Sequence, residues 1–319
     1  MSRIDDALRR SGRSGSGNTG LITPAAEENP FDPAWPVGRE TGSQPAAPAS
    51  ATLTVETGPS PGIISFASMW RERLATGSEA DPVLVEQFRR LAATLHQAQI
   101  VHGLKSVMVT SASPGDGKTL TAVNLALVLA ESYRYNVLLV DADLRRPSIP
   151  NAAGVGEGSG LSDVLRSPVK QKLALIPITA GVTLLPAGPP VANSLQALTS
   201  PRMRHILDEA TARFDWVVMD APPVGATADA RLLTQLVGGT LFVIHAGRTQ
   251  HGQVQKAIDS IGRERIMGIV LNGVEGLPSD EKYYYASPRA GDSESSPTRP
   301  GRQTRFDLVG RDRSSWRHS

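Results

Sequence analysis

The chain has 319 residues, 40% of them apolar and 20% charged, enough for one α/β domain of about 200 residues with extensions, or for two small domains. A formal net charge of +2 with 5% aromatic residues is too mild to indicate a nucleic-acid surface, and no nucleic-acid partner is expected. The absence of cysteine excludes disulfides and thiolate chemistry and fits a reducing compartment. With no apolar run near about 18 residues and no signal-type leader, the expectation is a soluble cytoplasmic chain.

At the N-terminus, Ser2 with Asp5 resembles a capping pair and Ile4 with Leu8 forms a small apolar face, which is either a docking peptide or a frayed end. Residues 11–62 are Gly, Ser, Pro, Ala and Thr with scattered charge, a composition that cannot bury enough apolar area to order itself. Residues 1–80 therefore read as a mostly disordered segment and linker, 81–277 as the folded domain, and 278–319 as a tyrosine cluster with a disordered tail. Within the domain, Val85, Phe88, Leu91 and Leu95 fall at helical spacing.

From Leu104 onward, short runs of Val, Ile and Leu alternate with helical patterns. Strands are expected at Ser106–Thr110, Asn136–Asp141, Val182–Pro186, Asp215–Asp220, Thr240–His245 and Ile266–Leu271. Helices are expected at Lys118–Glu131, Gly160–Leu165, Ser200–Arg213, Asp229–Leu236 and Gln250–Arg263. Strands apolar on consecutive residues are covered on both faces. The alternation therefore predicts an α/β fold, a doubly wound, mainly parallel sheet of P-loop NTPase architecture with its ligand at the carboxyl ends of the strands.

The motifs fall at those ends. VMVTSASPGDGKTLTAVN, residues 107–124, is a strand, a Gly/Pro turn and the start of an apolar helix, with Ala112 where the phosphate-loop pattern usually opens on Gly. Ser113, Pro114, Gly115, Asp116, Gly117, Lys118, Thr119 and Leu120 would cradle phosphates with backbone N–H groups and the positive end of the helix. Lys118 would reach the β- and γ-phosphates and Thr119 a Mg²⁺ ion. The bland alternative is an ordinary Gly-rich turn. Asp141 and Asp143 follow the second strand and Asp220 closes the fourth, an arrangement suited to holding Mg²⁺ and accepting a proton, or else to capping turns. Asn272, after the last strand, is either an adenine neighbour or a turn residue.

Together SASPGDGKT, VLLVDADLRRP, GLSDVL, LLPAGPP and WVVMDAPPV with its following TADA resemble, over roughly residues 83–285, the cytoplasmic domain of the bacterial tyrosine kinases. These are autokinases that work with exopolysaccharide and capsule export machinery; the opening MSRIDDAL is similar to the start of their soluble members. The resemblance implies ATP and Mg²⁺ as cofactors, held by Lys118 and Thr119, with Asp141 and Asp143 in metal binding and proton abstraction and Asp220 completing the metal shell. It also implies a separate membrane-spanning activator, recruitment to the inner face of the membrane, and self-association through a helix carrying E-x-x-R-x-x-R. Here Glu86 and Arg89 fit that pattern, Ala92 replaces the third charged position and Arg90 is displaced, which puts a ring of subunits in question.

The chain has five tyrosines, and Tyr283, Tyr284 and Tyr285 are contiguous after Asp280 and Glu281. Such a run suits exposed phosphoacceptors for a neighbouring subunit, or an aromatic patch docking the tail. Two other functions share the fold. One is a dimeric ATPase switch of the ParA/MinD type, whose phosphate loop carries an extra lysine where this chain has Ser113; the other is a nucleotide-binding regulator of an export complex without kinase activity. GVGEGSG, residues 154–160, reads as a flexible connection, and the histidines show no metal-ligand spacing.

Overall fold

The computed structural model describes residues 52–55, 66, 68–77, 80–155, 158–167, 172–274 and 303–307. In chain order the strands are β1 (Thr52–Val55), β2 (Ser106–Ser111), β3 (Val137–Asp141), β4 (Lys172–Pro177), β5 (Val182–Leu185), β6 (Trp216–Asp220), β7 (Gly239–His245), β8 (Ile266–Val274) and β9 (Gln303–Asp307). The helices are α1 (Ser68–Arg71), α2 (Pro82–His102), α3 (Lys118–Tyr133), α4 (Ile149–Ala152), α5 (Leu161–Arg166), α6 (Ser194–Leu198), α7 (Pro201–Arg213), α8 (Asp229–Leu233) and α9 (His251–Ile261).

The strands form one sheet in the order β1-β4-β5-β3-β6-β2-β7-β8-β9. Pairing is parallel except between β4 and β5 and between β8 and β9. Each strand expected from the sequence is present, because a run of consecutive apolar residues is stable only when helices cover both faces. The period of two divides them. Val107, Val109, Leu139, Trp216 and Val218 face α2 and α3, whereas Met108, Leu138, Val140, Val217 and Met219 face α5, α6 and α7. Helix α3 is the most enclosed, with Thr121 through Leu129 all buried, which explains its continuous apolar stretch TAVNLALVL.

Three findings revise the boundaries. β4 was not foreseen: in its KLALIP run Leu173 and Leu175 are buried on one side and Ile176 packs against the other, too short a pattern to stand out. β1 and β9 lie in stretches whose composition reads as linker and tail, and they extend the sheet at its two edges. Phe66, Leu74 and Ala75 are buried against the domain, so the packed unit begins before residue 81. The expected tyrosine cluster at 283–285, the N-terminal MSRIDDAL and residues 156–157 of the glycine-rich connection lie outside the described residues.

Sheet order positions the site. β2 lies between β6 and β7, and β3 lies on the other side of β6, all parallel, so their carboxyl ends share one rim. Asp141 and Asp220 are direct register partners on β3 and β6. Two acids far apart in sequence thus stand at neighbouring strand ends, about 4.8 Å apart along the backbone.

Candidate active site

The turn from β2 to α3 is built around two glycines and one buried acid. Gly115 and Gly117 have φ of 81° and 101°, in the left-handed region that side chains resist. A Cβ on Gly117 would also lie 1.9 Å from Asn272 Nδ2. That amide donates to the Asp116 carbonyl oxygen at 2.8 Å, so Asn272, at the end of β8, clamps the loop backbone. Asp116 is 1% exposed; its carboxylate accepts from the Ser113 N–H at 2.9 Å and from Thr249 Oγ1 at 2.8 Å. Burial raises its pKa, and the Thr249 and Ser113 hydrogen bonds only partly offset that. Asp116 is therefore a brace that shapes the phosphate loop from within.

Lys118, the first residue of α3, projects into the acids. Its Nζ lies 3.3 Å from Asp143 Oδ2, 3.7 Å from Asp220 Oδ1 and 3.4 Å from Thr119 Oγ1. Asp141 is fully buried: Oδ2 accepts the Ser148 and Ile149 N–H groups, each at 3.1 Å, at the start of α4, and Oδ1 accepts the Asp143 N–H at 3.3 Å. These bonds fold DADLRRPS into a loop that turns Asp143 toward Lys118. Asp220 is also fully buried; no donor reaches either oxygen at close hydrogen-bond distance, and its polar neighbours are the Lys118 amine, 3.7 Å from Oδ1, and the Thr119 hydroxyl. Thr119 Oγ1 is 3.3 Å from Ser148 Oγ.

The electrostatics follow from that crowding. Asp141 is pushed up to about 7, first by burial and then by the Asp220 charge, against the Ile149 and Ser148 N–H bonds. Asp220 is raised in the same way, with burial outweighing the attraction of Lys118. Burial alone would lower Lys118, but Asp220 and Asp143 hold its pKa above the ordinary lysine value. Three carboxylates around one ammonium leave an excess of negative charge beside a loop of N–H donors, and no close hydrogen bond satisfies either Asp220 oxygen. Those groups fit a divalent cation. Among the described residues no cluster of three His, Cys, Asp or Glu side chains forms a metal cage.

A pH dependence results. Asp141 binds its proton more tightly folded, at about 7, than unfolded, near 3.8, so between those values the folded state holds more protons and stability falls as pH rises. Asp220 and Asp116 shift in the same direction, while Lys118, raised above 10.5, contributes no slope in this window. Nucleotide-free protein is expected to melt at lower temperature at pH 7 than at pH 5, with Asp141→Asn flattening the slope; a midpoint rising with pH contradicts these shifts.

Beside the loop lies a cavity of about 490 Å³. One wall is Gly117, Leu120, Thr121 and Asn124, another is His245, Arg248 and Asn272, and the roof includes Glu72 and Arg73. The roof is tied down by Asn124, 1% exposed, whose Oδ1 accepts the Ala75 N–H at 2.8 Å and whose Nδ2 donates to the Arg73 carbonyl at 2.9 Å. Substituting Asn124→Ala leaves both strap groups without their partner, at about 1–3 kcal/mol each. We expect tryptic cleavage after the exposed Arg71 and Arg73 to quicken several-fold; unchanged cleavage would mean that the strap is held by other contacts.

Two further elements singled out in the sequence meet. The N–H groups of Leu161 and Ser162 in GLSDVL donate to the carbonyls of Pro186 and Ala187 in LLPAGPP at 2.9 and 2.8 Å. Arg145, two residues past Asp143, is held by Asp229 of the TADA run at 2.9 Å, and Asp229 also accepts from Ser194. Among the expected site residues, Lys118, Thr119, Asp141, Asp143 and Asp220 come together; Asp116 and Asn272 support the loop. Sequence reading missed Asn124, Ser148, Arg248 and Thr249. Only Asn124 carried a signal, as the single amide in the apolar run of α3.

Known proteins are similar to this chain in sequence and fold. A model of the ParA family, described as NUBPL iron-transfer P-loop NTPase, matches residues 104–281. The tyrosine-protein kinase YwqD of Bacillus subtilis is 35% identical over 205 residues, covering 63% of this chain and 86% of that protein. The tyrosine-protein kinase wzc of Salmonella typhimurium is 29% identical over 63% of this chain, which spans only 28% of that longer protein. The kinase domain of the Escherichia coli tyrosine kinase ETK superposes with a TM-score of 0.56 at 30% identity, covering 67% of this chain and 80% of the domain.

Proposed function

This chain belongs to the bacterial tyrosine-protein kinases, a branch of the ParA-type P-loop NTPases, and we propose that it is an autokinase moving the γ-phosphoryl group of ATP to Tyr283, Tyr284 and Tyr285 of another copy. The observation that carries this reading is the Lys118 amine held between Asp143 and Asp220 at the mouth of a phosphate loop.

In that geometry the loop N–H groups and Lys118 bind the β- and γ-phosphates and orient the transferred group. Thr119 and Asp220 hold Mg²⁺, with Asp141 beside them; the ion, when bound with ATP, offsets charge on the phosphates. Asp141 already accepts three backbone N–H groups and is fully buried, so its part is to fix the loop. Asp143 keeps Oδ2 toward Lys118 and takes the phenolic proton. The cavity beside the loop receives the nucleoside, under the strap that Asn124 holds.

The chain works with exopolysaccharide or capsule export machinery at the inner face of the membrane, in partnership with a membrane-spanning activator. Among the described residues no helix is long and apolar enough to cross a membrane. The iron-transfer role in the family description does not carry over, because this chain has no cysteine to ligate a cluster. A ParA-type switch is the second reading, favoured by the family match. Against it stands Ser113, where that switch needs a lysine, its N–H already spent on Asp116.

The test is incubation of the purified chain with ATP and Mg²⁺ and mapping of phosphotyrosine by mass spectrometry. Label on the tryptic peptide 283–289 supports the kinase; dimerisation and ADP formation without phosphotyrosine would assign the switch.

A further inference from the structure

At the opposite end of α3 from the phosphate loop, Tyr133 closes the helix beside an open cleft of about 540 Å³. Its walls are Glu86, Arg89, Arg90 and Ala93 of α2 and Ser132 and Tyr133 of α3. Tyr133 stacks on His96 with ring centroids 4.4 Å apart and on Tyr135 at 5.7 Å. The two phenols differ in a way that matters. The Tyr135 hydroxyl is engaged by His96 Nδ1 at 2.6 Å, whereas the Tyr133 hydroxyl makes no hydrogen bond among the described residues. Arg89 is exposed and has neither ion pair nor hydrogen bond among the described residues, and Arg90, also exposed, pairs with Glu86 at 3.4 Å among its contacts.

A half-buried phenol whose hydroxyl makes no hydrogen bond among the described residues, lining the same cleft as two surface guanidiniums, is a place where an added phosphate could be paired. We propose that Tyr133 is a further phosphoacceptor of this chain, modified by another copy, with Arg89 and Arg90 receiving the phosphate. This rests on the kinase reading above. Tyr133 Oη would attack the γ-phosphorus of ATP, forming the Oη–P bond as the bond to the bridging oxygen of ADP breaks. The phenolic proton passes to Asp143 of the acting copy and then to water.

The transfer cannot be internal. Helix α3 has 16 residues, and at about 1.5 Å per residue its ends lie roughly 22 Å apart, so Tyr133 never meets its own Lys118. A phosphate at a helix C-terminus also faces the negative end of the helix dipole, which makes the two arginines necessary to the modified state. Once formed, the pairing ties α2 to α3.

The experiment mixes the parent chain with Lys118→Met protein as acceptor, in ATP and Mg²⁺, and digests with trypsin. In the parent, Tyr133 falls in peptide 119–134; in the acceptor, which lacks the cleavage site at 118, it falls in peptide 106–134; the tyrosine cluster falls in 283–289. Phosphotyrosine is expected on both Tyr133 peptides, lost from each with Tyr133→Phe while 283–289 stays labelled. Arg89→Ala should lower the ratio of Tyr133 to 283–289 labelling several-fold, a ratio that any change in self-association leaves unmoved, and an unchanged ratio would overturn the arginines' part. The parent peptide serves as a second readout should the acceptor fold poorly. Full labelling of 283–289 with no phosphotyrosine on either Tyr133 peptide overturns this proposal alone; no phosphotyrosine anywhere overturns the kinase reading beneath it.

Discussion

Asp220→Asn is expected to give a protein that folds at least as well as the parent and transfers phosphate more slowly by roughly 100-fold or more. The two halves of that expectation have one cause. Asp220 is a fully buried carboxylate with no close hydrogen bond on either oxygen, set beside Asp141 in register and 3.7 Å from the Lys118 amine. Its charge is costly in the folded apoprotein, as its raised pKa reports. An isosteric amide removes that cost, and Lys118 keeps its contact with Asp143. The same charge is what a metal-bound triphosphate needs at the strand end. The trade of stability for function is checked by thermal unfolding of nucleotide-free protein alongside the phosphotyrosine rate. A variant that melts well below the parent, or that retains its rate within a few-fold, contradicts the role given to Asp220.

Lys118→Met should be as severe for transfer and opposite for stability. Without the ammonium, the loop loses the only side-chain cation ion-paired to Asp143 and Asp220 among the described residues, and the rate should fall roughly 10²–10³-fold. Asp220 is then a buried charge without its cationic partner, a loss of about 3–5 kcal/mol when it is ionised. The penalty depends on pH, with the sign set by Asp220, whose pKa burial raises: as pH falls it takes a proton and the penalty shrinks, and as pH rises it is charged and the penalty is full. The gap in melting temperature between parent and variant should widen from pH 5 to pH 8. A gap that narrows would mean that Lys118 does not hold these carboxylates ionised.

Much of this was legible in the sequence because consecutive apolar residues ending in a polar one leave few options. VMVTS, VLLVD and WVVMD each read as a covered strand, and parallel neighbours must bring their ends to one rim. What the sequence could not convey was pairing. That Asp141 and Asp220 are register partners depends on β6 lying between β2 and β3, which follows from tertiary packing and not from any local pattern. Asp116 and Asn272 appeared as phosphate-loop and nucleoside residues because position in a motif says which group is near, not which way its hydrogen bonds run. In the structure both are spent on the loop. The strap around Ala75 was hidden by composition, since two backbone bonds to Asn124 and the burial of only Phe66, Leu74 and Ala75 in that stretch order it, too few apolar residues to form a pattern.

The most direct trial of the whole account counts ADP and phosphotyrosine in the same reaction, for the parent and for Lys118→Met. The account predicts that in the parent each ADP formed is matched by one phosphotyrosine, and that in the variant both nearly vanish. ADP accumulating without phosphotyrosine, or phosphotyrosine persisting in the variant, would contradict it.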